Sequence, residues 1–357
     1  MRKSRMLFFA LVILIIATLT GSFYVYRYLR ESLKKYETLR IAESQPAVYK
    51  LPHYLAMKKL FYREQNIRIQ TVDCREDRDA LAALESKKAD VALVRPSSLV
   101  FKKSSELREG AGPVALASLD GGTCYHLVSR EDKPLADIKS MKNKIVIAGP
   151  PDSQETVFLE HILREGGLSP YENVTIITNI PGEIKMGALK AGTAHYLLLE
   201  EKDLPAAMNR GFFSAKLLKT EFPAYICVTT REFMRDHPAA LQGFINALYM
   251  AQIWLKYHDA GETAAVIRSI GGIDKDTFAR LVERYYKNGS LPQSPVLPEK
   301  NMEIVVKMLE KAREIPMPVS GRDLISGEFA RNSVNTVKYV PEDKQEKKGL
   351  QKLKFWQ

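Results

Sequence analysis

Five polar clusters in this 357-residue chain each follow a short apolar run. Their residue types are those that hold a small ligand. The clusters are Glu43-Ser44-Gln45-Pro46, Arg95-Pro96-Ser97-Ser98, Gly149-Pro150-Pro151-Asp152-Ser153, Asn179-Ile180-Pro181-Gly182 and Glu200. An arginine placed like Arg95 clamps a sulfonate, phosphate or carboxylate with two parallel hydrogen bonds. Ser97, Ser98 and Ser153 add hydroxyl donors, and Glu200 favours an amine or a ring N–H. Tyr49 and Tyr54 offer flat faces for stacking a ring. The candidate ligand-binding set is therefore Ser44, Gln45, Tyr49, Tyr54, Arg95, Ser97, Ser98, Asp152, Ser153, Pro181 and Glu200. Structural roles compete for the same residues. Ser153 also reads as a helix cap, Arg95 as half of a surface ion pair, Gln45 and Glu43 as solvated turn residues, and the two tyrosines as core aromatics.

Catalytic motifs are missing. There is no GxGxxG opening a helix, no GxxxxGK[ST], no GxSxG and no HExxH. None of the six histidines stands two to four residues from another, so no local zinc site is written. Cys74, Cys124 and Cys227 lie in or beside apolar runs and read as small buried hydrophobes, with one disulfide as the alternative. The expectation is a binder with no catalytic residues, no metal and no cofactor.

The elements that must carry these clusters alternate between strand and helix, the rhythm of an α/β fold with mostly parallel strands. In such sheets ligands bind beyond the carboxyl ends of the strands, where helix starts present free N–H groups. Strands are predicted at Leu39–Ala42, Ile67–Val72, Ala89–Val94, Val114–Leu119, Cys124–Val128, Lys144–Ala148, Asn173–Thr178, Ala194–Leu199 and Ala224–Thr229. Helices are predicted between them, including Pro52–Tyr62, Asp77–Lys87, Gln154–Glu165, Glu183–Lys190 and Asp203–Arg210. Helices alone follow, at Pro238–Tyr257, Glu262–Ser269, Lys275–Lys287 and Glu299–Arg313, before a lysine-rich tail from about Val334. "ALESKKADVALV" and "ALKAGTAHYLLLE" share a rhythm that suggests two similar lobes.

The chain carries 53 Lys and Arg against 42 Asp and Glu, a net +11. Most of that excess sits at the ends: +3 in residues 1–5, +3 in 27–40 and +3 in 335–357, leaving the body near +2. A near-neutral body argues against nucleic acid as a partner. Met6–Tyr26 is free of charge and long enough to cross a bilayer, with Phe23, Tyr24 and Tyr26 at one end. It reads as an uncleaved signal anchor, residues 1–26, followed by a linker at 27–38. The alternative is a cleaved leader and a secreted or periplasmic protein.

"LRIAESQPAVYKLPHYLAMKKLFYREQNIRIQTVDC" resembles the opening of bacterial ABC-transporter substrate-binding proteins of the sulfonate, nitrate, taurine and thiamine-pyrimidine type. "LESKKADVALVRPSS", "DIKSMKNKIVIAGPPDSQETVFLEHILREGGLSPYENVTII", "EIKMGALKAGTAHYLLLEE" and "CVTTREFMRDHPAALQGFINAL" resemble their later segments, in order. Departures are Lys88 for a glycine, Asp152 for a small residue in a Gly-Ser turn, His195 for an aspartate, and Glu201 for a proline after Glu200. The resemblance implies an α/β, two-lobed type II periplasmic-binding-protein fold with an N-terminal transmembrane helix. Lobe 1 would comprise 39–125 and 230–333, lobe 2 would comprise 126–229, and 334–357 would be a flexible tail. It implies a non-enzymatic solute-binding protein of an ABC importer on the extracytoplasmic side of the cell membrane. Its ligand would be a sulfonate, nitrate or pyrimidine-like molecule, and its partners the ABC permease and ATPase subunits. An extracellular sensing module and an enzyme of the same fold are the alternatives.

Overall fold

Ten strands form two five-stranded sheets in a computed structural model that describes residues 36–105 and 112–345, with Thr18 and Gly21. The first sheet holds β1 (Glu37–Glu43), β2 (Ile67–Asp73), β3 (Val91–Val94), β4 (Pro113–Ser118) and β10 (Ile226–Thr230). The second holds β5 (Cys124–Ser129), β6 (Ile145–Ile147), β7 (Thr175–Ile177), β8 (Tyr196–Glu200) and β9 (Phe213–Lys219). Their orders are β2-β1-β3-β10-β4 and β7-β6-β8-β5-β9. The two orders are the same pattern: second, first, third, the strand arriving from the other sheet, then the last. The arriving strands run antiparallel to their neighbours, with Cys227 opposite Leu93 and His126 opposite Leu199. β1 pairs with β3, and β6 with β7 and β8, in parallel, with Ala92 opposite Ala42 and Ile147 opposite Leu197.

Burial follows the residue types. β3 reads Val-Ala-Leu-Val and is buried throughout, as a central strand covered on both faces must be. One face of the first sheet packs on α1 (Leu51–Lys58), on α9 (Pro238–Tyr257) through Phe244 and Leu248, and on α11 (Lys275–Lys287) through Phe278 and Leu281. Its other face shares a core with α3 (Asp77–Glu85), with α12 (Glu299–Ala312) and with part of the second sheet.

Two crossover segments join the sheets, residues 119–123 outward and 220–225 back. They are bonded to each other: the Thr220 N–H donates to the Thr123 carbonyl at 2.9 Å, and the Leu119 N–H to the Tyr225 carbonyl at 3.1 Å.

Several expectations need correction. The helix expected over Pro52–Tyr62 is split into α1 and α2 (Phe61–Glu64), because Leu60 between them takes a left-handed φ of 62° that no helix continues. α4 (Pro96–Ser104) follows Arg95 directly, where the sequence suggested only a turn; Pro96 sits at its first position, where proline starts helices. β9 was not expected, because its alternation is broken by lysines and it lies at a sheet edge. β10 joins the first sheet, although the sequence boundary at 229 assigns most of it to lobe 2. The start of the expected loose tail is tied down. α13 (Glu328–Thr336) runs into it, Tyr339 packs edge-on against Phe61, and Asp343 meets His258 at 2.9 Å.

The expected membrane span, Met6–Tyr26, falls outside the described residues apart from Thr18 and Gly21. Among the described residues no helix is long and apolar enough to cross a membrane.

Candidate ligand-binding cleft

A cleft of about 1020 Å³ opens between the carboxyl ends of β1 and β3 on one side and β6 and β8 on the other. Arg95 leaves β3 and Glu200 ends β8. The Arg95 Nη2 donates to Glu200 Oε1 at 2.9 Å, an ion pair that reaches from one sheet's residues to the other's. The Arg95 backbone N–H donates to Asp77 Oδ2 at 2.8 Å, and its guanidinium lies 5.5 Å from the centre of the Tyr225 ring. Burial opposes the Arg95 charge, but Tyr225, Glu200 and Asp77 outweigh it and hold the guanidinium protonated. Burial likewise pushes Glu200 upward, yet Arg95 and Lys202, the latter 3.0 Å from Oε2, bring its carboxyl below the ordinary range.

Most of the expected set converges here. Ser44, Gln45, Tyr49, Arg95, Ser97, Ser98, Asp152, Ser153 and Glu200 all line the cleft. Several of them are already engaged within the protein. Ser44 and Ser98 donate their hydroxyls to Asp77, at 2.5 and 3.1 Å. Tyr49 accepts the Cys124 N–H at 3.1 Å, which makes it a strut between the sheets. Ser97 reaches the other side through its N–H, 3.4 Å from Gln154 Oε1. Ser153 caps α5 (Gln154–Glu165), accepting from the Thr156 N–H at 3.4 Å, so the capping role is real. Asp152 and Gln45 lie exposed.

Two residues do not join them. Tyr54 turns its hydroxyl onto Glu43 Oε2 at 2.9 Å and forms no part of the cleft wall. Pro181 stands exposed at the start of α6 (Gly182–Ala191), after β7. β7 runs parallel to β6 but is the edge strand of its sheet, and Pro181 after it is not part of the cleft wall.

Other residues in and around the cleft were not anticipated. Asp77, buried in the first turn of α3, gathers Ser44, Ser98 and the Arg95 backbone onto one carboxylate. Glu155, in the first turn of α5, also lines the cleft; burial and the neighbouring Glu200 carboxylate push it up, against Arg95. Lys50 is fully buried, and its Nζ donates to the carbonyls of Ser44 and Gln45 at 3.1 Å each. It also lies 3.5 Å from Glu43 and 4.7 Å from the Tyr225 ring centre. Burial lowers its pKa, with Glu43 opposing. Acids in first helical turns and a lone lysine are common surface features, so only the Glu155 position after Gly-Pro-Pro carried any sequence signal.

A second bridge starts from Glu201, which also lines the cleft. Glu201, 1% exposed, accepts from Asn288 Nδ2 at 2.9 Å and meets His126 Nε2 at 2.8 Å. It also pairs with Arg284 on α11. Adjacent glutamates thus face opposite ways, Glu200 toward Arg95 and Glu201 toward α11. Among the described residues there is no cluster of His, Cys, Asp and Glu suited to a metal. Cys74, Cys124 and Cys227 are all free thiols.

A family model described as NMT1/THI5 like matches residues 47–259. A Bacillus subtilis (strain 168) protein named "Putative binding protein YtlA" is 24% identical over 305 residues, covering 83% of this chain and 91% of that one. The sulfonate ABC transporter periplasmic protein SsuA of Methylobacillus flagellatus KT superposes with a TM-score of 0.66 at 15% identity, over 85% of this chain and 95% of that one. The periplasmic nitrate-binding protein NrtA of Synechocystis PCC 6803 superposes with a TM-score of 0.63 at 13% identity, over 87% and 91%. The two superpositions bear on the fold, and the fold they share with this chain is the periplasmic-binding-protein fold.

Proposed function

The chain belongs to the NMT1/THI5-like family, and from that premise we propose that it is the extracytoplasmic solute-binding protein of an ABC importer. It captures a small polar ligand between two lobes and passes it to a membrane permease and its ATPase. The lobes are 39–118 with 226–333, and 124–219, joined by the two crossover segments. Residues 6–26 anchor the body at the outer face of the membrane. Anchoring raises the binder's effective concentration at the permease without any new contact.

The observation that carries this reading is the Arg95–Glu200 ion pair spanning a cleft of about 1020 Å³ between two sheets. Contacts that need both sides exist only when the lobes are together, so a ligand that adds to them shifts the population toward the closed form. Names of related proteins agree in kind: a binding protein, a sulfonate binder, a nitrate binder.

Crosslinking the full chain in its native membrane and identifying the captured proteins tests the assignment. A polytopic permease together with an ATPase is the expected result. Capture of a signalling receptor instead would transfer the protein to ligand sensing.

A further inference from the structure

We propose that one face of the first lobe lies on an anionic phospholipid surface, and that the lysines and aromatic residues of segment 346–357 enter the same lipid interface. The contact needs neither the cleft nor a guest in it, so it stands apart from the solute-binding reading.

The first argument is an uncovered apolar patch. Met57, Leu60, Tyr257 and Val340 are large apolar side chains between 39% and 51% exposed. They sit on three elements that touch: the end of α1, the end of α9, and the strap 337–345 that follows α13. Lys59 Nζ lies 5.6 Å from the centre of the Trp254 ring, and Trp254 stacks on His258 with ring centres 3.6 Å apart. His258 Nε2 in turn meets Asp343 Oδ2 at 2.9 Å, and Phe61 meets Tyr339 with ring centres 5.1 Å apart. Single apolar residues scattered over a surface need no explanation, but four on adjoining elements mark a contact face.

Leu60 sharpens the point. Its φ of 62° is a left-handed position that suits glycine or asparagine and disfavours leucine. The side chain is half exposed, so packing in the core does not offset that strain. A strained and exposed apolar residue points to a use outside the fold.

The second argument is charge. Lys58, Lys59, Arg63, Lys256, Lys338 and Lys344 stand exposed on the same elements, against Glu64, Asp259, Glu342 and Asp343. Two of those carboxylates are already engaged. Asp259 caps the helix after it, accepting the Glu262 N–H at 2.8 Å, and Asp343 holds His258 and Lys344. The chain then continues from Gln345 into 346–357, which carries Lys347, Lys348, Lys352 and Lys354 against Glu346, and then Phe355-Trp356. Twelve residues reach at most about 40 Å, enough to meet a surface that the patch touches. Lysines beside phenylalanine and tryptophan are the composition of a bilayer interface, with ammonium groups on phosphates and rings at headgroup depth.

Charge also selects the occupant. Folding the tail back onto the patch would bring four more lysines to a face already in basic excess. A second copy would set that basic face against itself, because a two-fold contact uses the same patch twice. A lipid surface of negative charge satisfies the apolar and the basic residues together.

The test uses the full chain in nanodiscs of phosphatidylcholine alone and of equal parts phosphatidylcholine and phosphatidylglycerol. A spin label at Met57→Cys, in a Cys74→Ser background, reports whether the face meets lipid through its exposure to oxygen and to a water-soluble nickel chelate. In a Trp254→Phe chain, Trp356 is the remaining tryptophan, and brominated phosphatidylglycerol quenches it when it enters the interface. In the anionic discs the Met57 label should gain exposure to oxygen and lose exposure to nickel, and Trp356 emission should fall roughly twofold. Both changes should be much weaker in the neutral discs and at high salt. Glutamine at Lys347, Lys348, Lys352 and Lys354 should remove the quenching. Leu60→Asn should return the Met57 label to water while the melting temperature holds or rises, since asparagine suits the left-handed position. A label or a Trp356 emission that is the same in both discs would overturn the proposal. Spin–spin broadening at the Met57 label in both discs would give the face to a second copy and overturn it as well. The label measurement keeps both tryptophans, so it decides the matter where Trp254→Phe fails to fold. Each of these outcomes leaves the solute-binding reading as it stands.

Discussion

Asp120 and Tyr225, one on each crossover segment, are joined through a single hydrogen bond: the Tyr225 N–H donates to Asp120 Oδ2 at 3.0 Å. Oδ1 of the same carboxylate accepts the N–H groups of Gly122 and Ala224 at 2.9 Å each. Asp120 therefore clasps the outgoing and returning segments, and Tyr225, which it holds, lines the cleft. The crossover and the cleft wall share one residue.

Burial pushes the Asp120 carboxyl up to about 7, against the three backbone donors that favour the charged form. A carboxyl whose folded pKa lies above its unfolded one stabilises the fold fully at pH below about 4. That contribution, on the order of 3–4 kcal/mol, is lost as pH rises through 7. Urea unfolding between pH 5 and 8 should show stability falling with pH, and Asp120→Asn should flatten that slope. An identical slope in the variant would show that Asp120 does not titrate in this window.

Arg95→Ala removes the guanidinium between Glu200 and Asp77 and leaves Glu200 and the neighbouring Glu155 carboxylate without their shared counter-charge. Arg95 is partly exposed, so solvent screens the pair and the expected loss is about 1–3 kcal/mol. Small-angle scattering should also report a larger radius of gyration, because the bridge across the cleft is gone. An unchanged radius with a normal melting temperature would remove the pair from any part in closure.

Glu201 behaves in the opposite sense to Asp120. Burial raises its pKa, but His126 and Arg284 overcome that and bring it below the ordinary range. Its contribution is present above about pH 4 and is lost as pH falls through its folded pKa. Arg284→Met leaves Glu201 buried beside His126 without its guanidinium and should cost about 3 kcal/mol at pH 7. Denaturation curves at pH 7 and pH 3 check this: the gap between wild type and variant should shrink in acid.

Ser153→Ala separates capping from binding. The hydroxyl caps α5, so stability should drop by about 1 kcal/mol. Affinity for whichever small molecule binds should stay within about twofold, because the cap bond leaves the hydroxyl no free role toward ligand. A much larger loss of affinity would return Ser153 to the site.

Arg95 and Glu200 were legible in the sequence because each ends an apolar run, and strand ends are where such sheets bind. Their pairing was not, since 105 residues separate them and only the two crossovers bring the sheets together. The strands within "ADVALV" and "AHYLLLE", β3 and β8, occupy the same third place in matching strand orders. The strand-end rule misplaced Pro181 because it ignores whether a strand is central or at an edge. It overlooked Asp77, Lys50 and Glu155 because their types look solvated until burial is known. β9 and α4 escaped because one has weak alternation and the other begins with a proline that also starts turns.

The most direct test of two lobes closing on a small guest is a distance across the cleft mouth. Spin labels at Arg78→Cys and Asp152→Cys, in a full-length Cys74→Ser background, place one probe on each rim, since both positions are exposed and line the cleft. Electron–electron distance measurements would then be made with and without the compound that most raises the melting temperature. A distribution that becomes shorter and narrower when that compound is present at saturation is the predicted result. A distribution that stays the same while the compound demonstrably binds would contradict capture by closure.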